Sequence, residues 1–221
     1  FQTELLKRRA TIEPKLAKYA EKANLTFKIP FNEVYDYCVL EFSFAFWQWG
    51  RNPAKLPDTK TATDDQMLNV LLSISGPDYF SEGKDSSPFY VQAARELGYY
   101  GYDVKPFKGL LTIKSAKGYL HRIMLPQNQK FEFSKFLYNK VNNFLKTTDA
   151  KMLFIYGEYD PWSAVMPVPP VENEKLKKEG KGRETMHLFV DPNGSHSARI
   201  YTLPEADNKR AIEIVNKWLA E

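Results

Sequence analysis

The sequence predicts an α/β protein whose parallel layer is confined to the carboxyl-terminal part and is preceded by a mainly helical region. Two observations carry this. Apolar residues recur at helical spacing between recognisable starts and stops from residue 2 to residue 98, and the pattern changes after Ala150. There "KMLFIYG" (151–157) and "MHLFVD" (186–191) read as buried strands, and "PEADNKRAIEIVNKWLA" (204–220) as an amphipathic helix. Strand, loop, strand, helix is the pattern of a parallel layer, since parallel strands need a long crossover. A boundary is expected near residues 147–150, giving a helical region over 1–149 and an α/β part over 150–221.

Element by element, residues 2–23 place Leu5, Leu6, Ile12, Leu16 and Tyr19 on one helical face, with a kink or split expected at Pro14. "IPFNEVYDYCVLEFSFAFWQWG" (29–50) is aromatic nearly all round, so a buried helix is expected, capped by Asn32 and ended by Gly50 and Pro53. Thr63 precedes a third helix over 64–75, with acids in its first turn and Gly76-Pro77 after it. Ser86 or Ser87 opens a fourth, with Pro88 at its first position and Gly98 at its end. "LLTIKSAKGYLHRIML" (110–125) is compatible with strand or helix, whereas "FEFSKFLYNKVNNFLK" (131–146) returns to a helical pattern. There are no internal repeats.

Composition bounds the function classes. A chain of 221 residues can bury a core without staples, and no segment reads as a transmembrane helix. The net charge of +4 is too small and too scattered for a nucleic-acid surface, and the lysine-rich run 172–184 reads as a solvated loop. Cys38 is alone, which excludes an internal disulfide and a thiolate metal site. His121 and His187 have no partner at metal spacing and read as structural, and glycine-rich phosphate loops are absent, so no metal and no cofactor are expected.

Candidate chemistry gathers at the two strand ends. Active residues of open α/β sheets collect where strands end at their carboxyl sides, because the loops there meet in a crevice. Asp160 follows the first strand, and "VDPNGSHSARI" presents His196 after the second. An Asp that accepts from His Nδ1–H fixes the tautomer and makes the imidazole a general base for a nucleophile. The order acid then histidine is the tail of the hydrolase order Ser, Asp, His. Glu158 is the competing carboxylate, and both turns are also ordinary turn sequences. No G-x-S-x-G occurs, and Ser81 in "DYFSEGK" lacks both the preceding glycine and a strand leading in. A nucleophilic serine is therefore expected upstream of Phe1, and "FQTELLKRR" reads as the interior of a longer chain.

"FIYGEYDPWSA", "GSHSARI", "FSFAFWQWG", "ARELGYYGYD" and "FQTELLKRR" together resemble the prolyl tri/tetrapeptidyl aminopeptidase family of exported bacterial serine peptidases, across essentially the whole chain. The resemblance implies an α/β-hydrolase core with a helical cap, of which this chain carries the cap (1–149) and the last part of the hydrolase domain (150–221), without the serine elbow. It implies Asp160 as triad acid and His196 as triad base, peptide substrates with a free amino terminus cleaved after proline, and a secreted or periplasmic location. An enzyme that counts residues from an amino terminus needs a carboxylate for the ammonium. Glu41 is the candidate, and Glu96 a second, unless Glu41 pairs with an internal cation or faces solvent. Trp47, Trp49 and Tyr99 are candidates for an apolar pocket, or are core. The remaining readings are a non-catalytic helical binding or scaffold module and another hydrolase such as an esterase.

Overall fold

A computed structural model describes residues 1–83, 87–98, 101–126, 130–167, 169, 174–179 and 185–221. By its contacts the chain forms two units, one of Phe1–Phe46 with Asn52–Phe133 and one of Trp47–Arg51 with Ser134–Glu221. The division expected near residues 147–150 lies inside the second unit.

The first unit is built on helices. Helices α1 (Gln2–Lys7) and α2 (Arg9–Lys22) separate at Arg8, while Pro14 sits within α2 and splits nothing. The break is held by the Arg8 guanidinium, which donates to the carbonyls of Thr59 and Ala62, both at 2.7 Å, and to Glu4 at 2.8 Å. Leu5, Leu6, Ile12 and Leu16 are buried as the spacing requires, but Tyr19 is 40% exposed and Ala20 takes the buried place beside it.

Helix α3 (Phe31–Gln48) is the central element, with Val34, Tyr35, Tyr37, Cys38 and Val39 fully buried. It starts one residue before the expected cap: Asn32 lies in the first turn and donates to Thr112 Oγ1 at 3.1 Å. Gly50, at φ +61°, turns the chain after the helix. Asp36, also fully buried, accepts from Arg9, from Thr112 N (2.8 Å) and Oγ1 (2.5 Å) and from Ile113 N (2.9 Å). A carboxylate so placed is tolerable because charged and neutral donors surround it. Burial lowers the Arg9 pKa, but the hydrogen bonds it donates to Glu13 and Asp36, and their charges, outweigh it and hold the guanidinium above its ordinary value.

Helix α4 (Asp64–Ser75) has the expected start: Thr63 Oγ1 accepts from Gln66 N, and the Gln66 side chain accepts from Thr63 N. Helix α5 (Ser87–Gln92) continues as a π turn, Ala93–Leu97, to Gly98. Ser86 and Tyr99 lie outside the described residues. The ambiguous stretch 110–125 contains no strand, only the short α6 (Tyr119–Ile123). The physical reason is specific: the Thr112 and Ile113 amides, which a strand would pair, are spent on Asp36.

The second unit holds α7 (Phe136–Thr147), β1 (Met152–Gly157), α8 (Glu174–Lys178), β2 (Met186–Asp191) and α9 (Glu205–Leu219). The strands pair in parallel, from Met152 opposite Met186 to Gly157 opposite Asp191. Expected as fully buried, they are mostly half-buried, and Val190 is 41% exposed. Among the described residues each strand has only one paired neighbour; Phe189, Leu203 and Ala211 form a cluster with Leu153, Ile155, Ile200 and Ile214 against it, and Leu145, Met186 and Ala198 are buried as well. The lysine-rich run is not all loop either: α8 lies within it and buries Leu176, while 172–173 and 180–184 fall outside the described residues. Among the described residues the architecture is thus mainly helical with two parallel strands. No described helix is long and apolar enough to cross a membrane.

Candidate active site

Parallel pairing in register brings the ends of β1 and β2 side by side, and the two following turns are locked together by backbone hydrogen bonds. Glu158 N donates to Asp191 O, and Tyr159 N to Gly194 O, both at 3.0 Å. The approach is so close that a Cβ on Gly157 would lie 2.3 Å from the Ser195 carbonyl oxygen, and one on Gly194 would lie 2.6 Å from Asp191 Cβ. Only glycine fits at either place.

From Gly157 the chain turns into a short 3₁₀ helix, Pro161–Val165, and Asp160 is its cap: Oδ1 accepts from Trp162 N at 3.1 Å. Ser163 Oγ donates to Gly157 O at 3.0 Å and closes the turn. One carboxylate oxygen is thereby used to fix the side chain. The other, Oδ2, lies 2.7 Å from His196 Nδ1. The proline that follows Asp160 fits the first helical position, where no N–H is needed.

His196 is reached from β2 through the turn Pro192–Ser195. Its side chain is 46% exposed, whereas that of Asp160 is 10% exposed. In the tautomer that donates Nδ1–H to Asp160, Nε2 is left as an acceptor, and no described residue hydrogen-bonds it. Such a ring can take a proton from a group approaching from outside, and the adjacent carboxylate stabilises the imidazolium that forms.

The other sequence candidates fall as follows. Glu158, the competing carboxylate, is exposed, and its backbone rather than its side chain serves the turn. Trp47 and Trp49 belong to the same unit as the Asp160–His196 pair. Trp47 is 38% exposed with its ring 5.3 Å from that of Tyr159, and Trp49 is 54% exposed with its ring 5.7 Å from that of His196. Neither is simply core. Glu41 and Glu96 belong to the first unit. Glu41 is 3% exposed, so it does not face solvent, and one of its partners is the Tyr102 hydroxyl at 2.6 Å. Glu96 is half-buried and lines an open groove with Pro88, Val91, Gln92, Arg95 and Pro126. His121 is exposed on α6, His187 is half-buried beside Trp218, and Ser81 Oγ donates to Asp78 O at 2.8 Å. Among the described residues no group of three or more His, Cys, Asp or Glu could hold a metal.

Sequence reasoning missed two features of the site. The backbone N–H of His196 donates to Gln48 O at 2.9 Å, a contact 148 residues away in sequence that no local pattern announces. The close approach at Gly157 did have a signal, a glycine at the end of an otherwise bulky strand.

The sequence profile of the PS-10 peptidase S37 family matches residues 1–220. The chain belongs to that family. The prolyl tri/tetrapeptidyl aminopeptidase of Streptomyces mobaraensis is 30% identical over 225 residues, covering 98% of this chain and 44% of that protein. The chain therefore spans less than half the length of the curated relative it matches. No solved structure matches it.

Proposed function

We propose that this chain is part of a serine exopeptidase that releases tri- or tetrapeptides from free amino termini, cleaving after proline. The observation that carries the reading is the 2.7 Å contact of His196 Nδ1 with Asp160 Oδ2 at the carboxyl ends of two paired parallel strands. In this reading His196 Nε2 removes the proton of a serine hydroxyl as the hydroxyl attacks the scissile carbonyl, and then returns it to the leaving amine. Asp160 keeps the ring in the required tautomer. The serine is supplied by sequence outside these 221 residues, in keeping with the absence of a G-x-S-x-G segment and with the 44% coverage of the relative. Residues 150–221 then form the last part of an α/β-hydrolase domain, residues 1–149 its helical cap, and the protein is exported.

Glu41 and Glu96 are the carboxylates proposed for the substrate ammonium, and Trp47 an apolar wall for the substrate. The buried carboxylate of Glu41 supports its candidacy, because an ammonium that reaches it meets an acceptor little screened by water.

The test uses the full-length protein and a chromogenic tripeptide ending in proline. His196→Ala is expected to lower kcat by about 10⁴-fold or more, as loss of a triad member does. Retention of full activity ends the assignment. Glu41→Gln is expected to weaken free-amine substrates far more than amino-blocked ones, and equal losses on both remove Glu41 from the site. Hydrolysis of simple esters with no turnover of free-amine peptides would instead identify an esterase.

A further inference from the structure

Asp160 fixes only one point of the His196 ring. The hydrogen bond to Nδ1 holds one edge of an imidazole that is 46% exposed, while Nε2 lies on the opposite edge. The histidine also stands beyond the end of β2, on a turn without strand pairing of its own. A second contact on the ring would hold Nε2 more closely to the place where it meets a reacting group.

Four consecutive residues from a distant part of the sequence lie against both arms of the pair. Gln48 O accepts the backbone N–H of His196 at 2.9 Å. The indole of Trp49 meets the imidazole at 5.7 Å with the ring planes 78° apart, the edge-to-face arrangement aromatic rings prefer. Gly50 lies against Ser195, where a Cβ would stand 3.0 Å from Ser195 Oγ, and its φ of +61° favours glycine independently. Trp47 packs its ring 5.3 Å from that of Tyr159, the residue before Asp160. All four belong to the unit that contains Asp160 and His196, although the rest of α3 belongs to the other. Within these 221 residues Trp49 is 54% exposed, and the imidazole of His196 is a ring it meets.

The geometry points to Trp47–Gly50 as a positioning clamp, in which Trp49 sets the plane of the His196 ring and Trp47 braces the turn that carries Asp160. Its effect on rate rests on the peptidase reading above; its effect on the imidazole does not. Trp49 is thus a positioning residue that acts through His196.

The experiment compares Trp49→Ala, Trp49→Phe and Gly50→Ala with His196→Ala in the full-length protein, using the same chromogenic proline-ending tripeptide. Trp49→Ala is expected to lower kcat on the order of 10- to 100-fold while KM stays within about threefold, because the loss is in alignment and not in binding. Trp49→Phe should recover most of the rate, since a smaller ring still packs edge-to-face, and Gly50→Ala should lose rate without losing binding. In parallel, histidine ring-proton signals are followed by NMR in protein labelled at histidine. Trp49→Ala should shift the His196 signals, through loss of the indole ring current, and leave those of His187 in place. An unchanged kcat in Trp49→Ala alongside an inactive His196→Ala overturns the clamp and leaves the peptidase reading standing. An active His196→Ala ends the peptidase reading, and the ring-proton signals then decide the clamp alone: a His196 signal indifferent to Trp49 overturns it. If Trp49→Ala fails to fold, Trp49→Phe and Gly50→Ala carry the same two readouts.

Discussion

Two aspartates, one in each unit, show how differently this chain uses the same side chain. Asp36 is fully buried in the first unit and surrounded by an arginine, two backbone amides and a hydroxyl. Every acceptor site there is spent on holding structure. Asp160 in the second unit gives one oxygen to its own turn and the other to an exposed histidine, whose remaining nitrogen faces outward. The surroundings differ in the same sense. The first unit hides Leu5, Ile12, Leu16, Val34, Tyr35 and Leu71 completely, whereas within these 221 residues the second hides fewer side chains, among them Leu176, Met186 and Ala211. The larger buried core lies in one unit and the acid–histidine pair in the other, and a group that must exchange a proton has to stay accessible.

That division can be broken by measurement. The largest effect on stability is expected at Asp36: Asp36→Ala leaves Arg9 with Glu13 as its carboxylate partner and the Thr112 and Ile113 amides without their acceptor, and should cost the first unit about 3–5 kcal/mol by denaturant unfolding, without shifting the His196 ring signals. A shift of those signals would mean that the units are not separate in their roles. A matched pair comes next. Leu71→Ala should fall toward the upper end of the roughly 2–5 kcal/mol range for core leucines, and Leu203→Ala toward its lower end, because the thinner core of the second unit leaves less of a cavity. Equal losses, read from amide hydrogen exchange in α4 and in β2, would remove the contrast.

The smallest effect sharpens the picture of the first unit. Tyr35 donates to Leu5 O at 2.7 Å, and burial pushes its phenol well above the ordinary value of 10.0. A folded value raised above the unfolded one gives stability that is complete below the unfolded value and is lost as pH rises beyond it. Unfolding free energy should therefore decline from about pH 10 upward, by about 1.4 kcal/mol per pH unit for this group. Tyr35→Phe should cost about 1 kcal/mol at neutral pH and flatten that alkaline decline, with Tyr37, raised by burial in the same way, retaining part of it. A decline unaltered in Tyr35→Phe would assign the alkaline sensitivity elsewhere.

The parts of the fold that were legible in the sequence are those specified by neighbours in the chain. Thr63 and the acids after it announce the start of α4, Gly98 the end of the α5 region, and the run from Met186 to Asp191 its own strand, because caps, φ > 0 positions and strand composition act over a few residues. The stretch 110–125 was not legible, since its backbone amides answer to Asp36, some 76 residues earlier. Tyr19 and Pro14 misled for a related reason: the face α2 buries and the place where it breaks depend on what Arg8 grips across the unit.

At the candidate site, sequence alone singled out Asp160 and His196, because each follows a strand and each sits in a turn built to present it. It also bounded the chemistry, offering no metal spacing and no phosphate loop. Only the tertiary structure could decide that the two strands are neighbours, that the parallel register puts Gly157 opposite Asp191, and that the acid thereby meets the imidazole at 2.7 Å. It alone brought Trp47–Gly50 to the same place. Local conformation is set by local sterics and hydrogen bonding, which a sequence displays directly. The meeting of residues 36 and 148 positions apart is set by how whole elements pack, and no short stretch of the chain contains that information.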